Sequence, residues 1–348
     1  MTTQTHTITR SSNAARVAAV IGALVLIVLI AAPWWAGRAD MRLMGELFLY
    51  LALASLWNLL AGYAGLVSVG QQAFVGFGGY MLFALTIFGG LHPLAAIALA
   101  GMLGALISVP VAVLIFRLRG AYFAIGTWVI AEVFRLGFAQ ISALGGGSGS
   151  SLPVAIVKSL ADKRAMRESL SYWLALGAAI LVITAVYLFL RSRKGLALTA
   201  IRDNELAASS LGIDIWRTKF IVYVVTSALT AMIGALIFLQ KLRISPDAAF
   251  NVNDWTAFVI FIVVIGGIGT IEGPIIGALV FFALRETLAD LGTIYLMVLG
   301  LVAIVMMLKA PKGIWGLIRS RFDLQIFPLG YRVIASEGPT SPETEKEA

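Results

Sequence analysis

The 348 residues are 60% hydrophobic and only 13% charged, with a mean hydropathy of +0.93. Soluble domains sit near ~45–50% apolar and ~25% charged, so this composition excludes an ordinary soluble chain and points to an all-α, polytopic membrane protein. The absence of cysteine excludes disulfides, thiol catalysis and cysteine-based metal sites, and the two histidines, His6 and His92, fall in a tail and a short loop. A net charge of +8 would suit nucleic acid, but its placement along the chain follows membrane topology instead.

Residues 1–16 are polar and read as a disordered N-terminus. Arg10 and Arg16 then precede an apolar run over about 17–36. That run is long for a signal peptide and another follows at once, which favours an uncleaved first span. Further apolar segments lie near 44–62, 66–88, 94–116, 120–140, 171–190, 219–240, 255–270, 274–292 and 294–308. Each approaches the ~20 residues that cross a ~30 Å hydrocarbon core. The expectation is a transmembrane domain over 17–308 with about ten helices, one or two of them re-entrant.

Alternating these spans from a cytoplasmic N-terminus gathers most basic residues inside: Arg117 and Arg119, the cluster between Arg191 and Lys219, and Lys309, Lys312, Arg319, Arg321 and Arg332. A smaller set, including Lys158, Lys163, Arg167 and Arg243, falls outside. The bias follows the positive-inside rule, with both termini cytoplasmic and the 141–170 loop on the outer side. After Leu308, KAPKGIWGLIRSRF reads as part of a cytoplasmic amphipathic segment over 309–333. The tail 334–348, rich in Pro, Ser and Glu, reads as disordered.

One polar stretch stands apart: RSRKGLALTAIRDNELAASSLGIDIWRTK, residues 191–219. Leu, Ala and Ile recur at helical spacing between its charges. The stretch breaks at Arg202-Asp203-Asn204, which offers capping side chains, and again at Gly212, suited to a left-handed helix end. Two short surface helices with an apolar face for a protein partner are expected. A bland basic loop would account for the arginines, but not for the spaced apolar residues or for Asp203, Asn204 and Glu205.

Three further stretches interrupt the hydrophobic pattern. AGLVSVGQQAFVGFGGY, residues 64–80, is dense in glycine around Gln71 and Gln72. RGAYFAIGTWVIAEVFRLGFAQ, from Arg119, places Glu132 and Arg135 on neighbouring positions of one helical face. GGIGTIEGPIIGALV, from Gly266, echoes the first stretch and hints at an internal repeat. Gly65, Gly70, Gly78, Gly79, Gly266, Gly267 and Gly269 are candidate hinges or packing points. Gln71, Gln72, Tyr80, Thr127, Glu132 and Arg135 are candidate translocation-path residues. For Glu132 and Arg135 the alternative is a neutralising pair near the membrane boundary. For the glutamines it is a joint between helices.

GGSG at 146–149 matches a short serine motif of intramembrane proteases, but Ser148 would need a base and His92 offers no evident pairing. LGGGSGS lacks the lysine of a phosphate-binding loop, so no ATPase, catalytic residue or metal site is assigned to this chain. An ion-coupled secondary transporter would need intramembrane acids, and Glu132 and Glu272 are its candidates.

The 191–219 stretch resembles the coupling loop of bacterial ABC importer permeases, in the form found in branched-chain (hydrophobic) amino-acid permeases. The match runs through Arg202, Asp203, Glu205, Ala207, Ala208, Leu211, Gly212 and Ile213, with Asn204 where an acid is common. GYAGLVSVGQQAFVGFGGY, LRGAYFAIGTWVIAEVFRL and IGGIGTIEGPIIGAL are similar to three more motifs of that family, so the likeness covers about residues 45–315. Relatives carry a "TGG-NGL" run where this chain has LGGGSGSSLP, with Ser148 in the Asn position. That departure leaves urea, short amides or another small organic solute as alternatives to branched-chain or other hydrophobic amino acids. The resemblance implies an inner-membrane permease that binds no cofactor itself. It would work with a homologous second permease, two ATP-binding subunits using ATP and Mg, and a periplasmic solute-binding protein. Arg202, Asp203, Asn204, Glu205, Ala208, Leu211 and Gly212 would then meet the ATPases.

Overall fold

Helices account for most of the described residues. The computed structural model describes residues 6–9, 13–288, 294–322, 326–327 and 332–335. In order come β1 (His6–Thr9), α1 (Asn13–Ile30), the short α2 (Ala32–Trp35), α3 (Arg38–Asn58), α4 (Gln71–Ile87), α5 (Pro93–Ile115) and α6 (Ala121–Ala139). There follow β2 (Ser150–Ser151), α7 (Val154–Leu160), α8 (Arg164–Arg191), α9 (Arg193–Asp203), α10 (Glu205–Ser210) and α11 (Ile215–Lys241). The last elements are β3 (Arg243–Ile244), α12 (Pro246–Ala249), α13 (Phe258–Gly266), α14 (Glu272–Leu288), α15 (Ile294–Lys309), α16 (Gly313–Phe322) and β4 (Arg332–Ala335).

The centre of the bundle is α3, whose residues Phe48 through Asn58 are all buried. A helix apolar on every side finds no water-facing stripe and is enclosed by its neighbours. Here these are α8, α13, α14 and α11. Beside this group, α11 packs along both α4 and α5. The approach of α4 to α11 is the closest that helices allow. A Cβ on Gly78 would lie 1.8 Å from the Ala231 carbonyl oxygen, and one on Gly234 would lie 2.1 Å from that of Val75. Small residues thus let two backbones touch, the usual device where lipid removes the hydrophobic incentive for helices to pair.

Among the described residues seven helices are long and apolar enough to cross a membrane, against the expected ten or so, one or two of them re-entrant. The other three expected segments correspond to shorter elements: the apolar part of α1, Val17–Ile30, and the 17-residue helices α4 and α14. The shortening of α4 has a local cause. A π-helical turn, Leu59–Tyr63, extends α3 to its end, after which residues 64–70 run back into the bundle without helical structure. The Trp57 indole N–H donates to the Ser68 carbonyl at 2.8 Å, and Gln71 Nε2 donates to the Leu53 carbonyl at 3.0 Å. Helix α4 therefore begins beside Leu53, roughly 15 Å of helix below Tyr63. Its first residues belong to the interior.

The C-terminal ends of α3, α8 and α13 lie together with the N-terminal ends of α11 and α14, at what is called here the island end. Pairs Tyr172–Leu29 and Trp173–Ile30 place the close of α1 at the other end. β1, inside the N-terminal stretch expected to be disordered, pairs antiparallel with β4, which straddles the expected boundary between the amphipathic segment and the tail, from His6↔Ala335 to Thr9↔Arg332. Both strands carry β-branched residues, which suit an extended backbone. Most of the expected tail, and the last residues of the 274–292 segment, lie outside the described residues.

Candidate functional site

The island, residues 191–219, folds as two short helices with a cap at each junction. Ser192 Oγ accepts from the Gly195 N–H at 3.3 Å and starts α9. Asn204 ends α9 in extended conformation, and its Oδ1 accepts from the Ala207 N–H at 3.0 Å to start α10. Gly212, at φ +80°, closes α10 in the left-handed region, with its N–H donating to the Ser209 carbonyl at 2.9 Å. Asp214 then caps α11 through the Arg217 N–H at 2.9 Å. Each cap satisfies a backbone group that a short helix leaves open.

Leu198 and Ile201 bury the inner face of α9, and Lys219 of α11 pairs with Glu205 of α10. Ala208 also turns inward, at 1% exposure, so it seats the helix and is not available to a partner in this conformation. The most outward apolar residues of the island are Leu206, at 82% exposure, and Leu211, at 78%, ahead of Leu196 and Trp216. Sequence matching found Leu211 but not Leu206. The helical period contained the signal, because the burial of Ala208 leaves Leu206 on the opposite side of a six-residue helix.

Arg202 points back towards the bundle. Its guanidinium lies over the Tyr63 ring, 5.7 Å from the centroid, and Nε is 3.2 Å from Asp203 Oδ1. The adjoining turn, 267–270, contains Gly267 at φ +132° and Gly269 at φ +76°, both in backbone regions that favour glycine. Asn58 binds this turn twice: Oδ1 accepts from the Gly269 N–H at 2.8 Å, and Nδ2 donates to the Thr270 carbonyl at 2.7 Å.

The six translocation-path candidates do not gather into one site. Gln71 joins α4 to α3 and faces a small cavity, with space on the order of one water, lined by Trp57, Ser68, Tyr223, Thr226, Ser227 and Thr230 among others. Gln72 accepts a hydrogen bond from Thr256, joining α4 to the π-helical turn Asn253–Ala257 before α13. Gln71 Oε1 and Gln72 Nε2 have no partner among the described residues. Thr127 Oγ1 accepts from the Val69 N–H at 3.0 Å and ties α6 to the returning segment. At the same contact, a Cβ on Gly70 would lie 2.2 Å from the Thr127 carbonyl oxygen. Tyr80 stacks against Phe138 and Phe250, with ring centroids 4.6 and 6.0 Å away, and those two rings lie 5.7 Å from each other.

Glu132 and Arg135 form the pair expected from their spacing, and Arg135 has a second partner, Asp247 of α12, at 2.8 Å. Ser148 lies in the one-turn helix Gly146–Ser148, while the His92 ring nitrogens engage the Leu94 N–H and the Ser159 carbonyl. Among the described residues, no three His, Cys, Asp or Glu side chains cluster as metal ligands. Most of the remaining glycines serve contact. Gly79 meets Phe238, Gly266 meets the Gly273 carbonyl and Gly267 meets the Lys312 carbonyl, whereas Gly65, at φ +68°, turns the chain with open space around it.

The family model described as "Branched-chain amino acid transport system / permease component" matches residues 41–309. The chain belongs to that family. The permease is 27% identical over 323 residues to the high-affinity branched-chain amino acid transport system permease protein LivM of Salmonella typhimurium, covering 86% of this chain and 76% of the relative. LivM of Escherichia coli matches with the same identity and coverage. A probable LivM of Methanocaldococcus jannaschii is 28% identical over 194 residues, covering 56% of this chain and 55% of the relative. No solved structure matches this permease. All four motif stretches lie within the matched residues, and the island lies wholly inside them.

Proposed function

We propose that this chain is a membrane-spanning permease subunit of an ATP-driven ABC importer for branched-chain or other hydrophobic amino acids. It lies in a bacterial inner membrane with both termini in the cytoplasm. It pairs with a homologous second permease and receives solute from a periplasmic binding protein. Two ATP-binding subunits, using ATP and Mg, hydrolyse the nucleotide. The observation that carries the reading is the outward face of α10. Leu206 stands almost fully in water on a helix of six residues and Leu211 does so at its C-terminal cap, and the helix is capped at both ends and seated by Ala208. Such exposure on a rigid polar-end element suits a protein cleft, and closing that cleft would displace the helix as a unit.

The test reconstitutes the chain in liposomes with the sister permease, the ATPases and the binding protein. Uptake of labelled leucine, isoleucine and valine should require ATP, and Leu206→Glu should release the ATPase subunits while the permease stays in the membrane. Uptake by the permease alone under a proton gradient would instead establish a secondary transporter. Uptake of urea or short amides in preference to amino acids would move the substrate assignment.

A further inference from the structure

Resting on the ATP-driven reading above, we infer that Arg202 transmits displacement of the island into the bundle through the ring of Tyr63. In this assignment the outward face of α10 takes the load and Arg202 passes it inward.

The geometry brings three separate pieces of chain to one point. Tyr63 is the last residue of the π-helical turn that ends α3, and its ring is buried beneath the Arg202 guanidinium. Directly beside it is the glycine turn between α13 and α14. A Cβ on Gly269 would lie 3.6 Å from Arg202 Nη1, and one on Gly62 would lie 2.6 Å from the Gly269 N–H nitrogen. The two hydrogen bonds from Asn58 fasten the π-turn to this glycine turn. With Gly62 and Gly269 in backbone contact, neither piece shifts without the other. A planar cation stacked on that joint therefore acts on α3 and on the α13–α14 turn together.

The joint also leads further in. Trp57, one turn of helix before the joint, holds Ser68 by its indole N–H, and the segment Ser68–Gly70 is packed against Thr127 of α6. Contiguity alone does not demonstrate transmission, so the test must measure energetic coupling between residues. The contact itself supplies discriminating variants. The Tyr63 hydroxyl makes no hydrogen bond among the described residues, so the ring is the working part. Arg stacks through a flat, delocalised face that the compact ammonium of Lys does not have.

The experiment uses the full complex in proteoliposomes and reads solute moved per ATP hydrolysed. ATP-dependent uptake by the unaltered complex comes first, and its absence would remove the ATP-driven reading itself. Given that uptake, Tyr63→Leu and Arg202→Lys should each lower the ratio at least several-fold, with ATPase subunits still bound. Tyr63→Phe should keep the unaltered ratio, and Tyr63→Leu with Arg202→Lys should be no worse than the poorer single variant, because both break one contact. A normal ratio in Arg202→Lys, a defect in Tyr63→Phe equal to that of Tyr63→Leu, or multiplying defects in the double variant would each overturn the assignment. Should Tyr63→Leu fail to assemble, Arg202→Lys decides alone, since Arg202 lies at the surface and its replacement buries no unpaired charge.

Discussion

At the scale of single residues, glycine serves two separable purposes. Gly78 and Gly234 sit where the backbones of α4 and α11 touch, so any side chain must displace a carbonyl group and the helix that bears it. Overpacking a well-fitted interior costs about 1–3 kcal/mol, and more where backbone must yield. Gly78→Leu or Gly234→Leu should lower the melting temperature in detergent sharply or prevent isolation of a monodisperse protein. Gly137→Ala, at a helical position with nothing within 4 Å, should leave the melting curve unchanged or raise it slightly. Glycine density in 64–80 was legible as close packing, but the partner of each glycine was not, because Ala231 lies on a helix far along the chain. The same limit appears at Arg135. Its bond to Glu132 follows from three-residue spacing, whereas Asp247 is 112 residues away. Gln71 and Gln72 show the converse, since adjacent helix positions point about 100° apart and so serve different neighbours.

At the scale of elements, the island was the most legible part of the chain. Its boundaries are written in short-range chemistry, with Ser192, Asn204 and Asp214 as caps and Gly212 as the left-handed stop. Orientation was not legible to the same degree. Ala208 matches the coupling-loop pattern yet faces inward, because burial depends on what lies beneath α10 as well as on its own period. The Glu205–Lys219 pair links α10 to the first turns of α11, and an exposed pair of this kind contributes ~0–1 kcal/mol. Glu205→Lys and Lys219→Glu should each speed backbone hydrogen exchange of residues 205–210 by up to a few-fold. The double charge swap should bring exchange back to normal. Continued loss of ATPase association in that swapped protein would show that Glu205 also meets the partner.

At the scale of the whole molecule, α3 is held at both ends by contacts of different kinds. Near its start, Arg285 of α14 makes a two-pronged bridge to Glu46, at 2.8 and 3.1 Å, and lies over the Phe282 ring. Removing one member of this half-buried pair leaves a charge without its partner, while removing both leaves none. Arg285→Leu should therefore destabilise the protein more than Arg285→Leu combined with Glu46→Leu, as read from thermal unfolding in detergent. The all-helical class and the approximate position of each apolar segment were legible from hydropathy. The interior start of α4 was not, because hydropathy counts apolar residues and is blind to whether the backbone joining them has turned back on itself.

The backbone contact between α4 and α11 carries a further consequence. With no side chains between them at Gly78 and Gly234, the two helices lack the layer of interlocking side chains that lets packed helices slide. Together with α5, which lies along α11, they form a stiff keel. In the ATP-driven reading proposed above, a permease that opens first to one side and then to the other would flex not there but at joints that interrupt regular helix: the π-turns at Leu59–Tyr63 and Asn253–Ala257 and the glycine turn at 267–270.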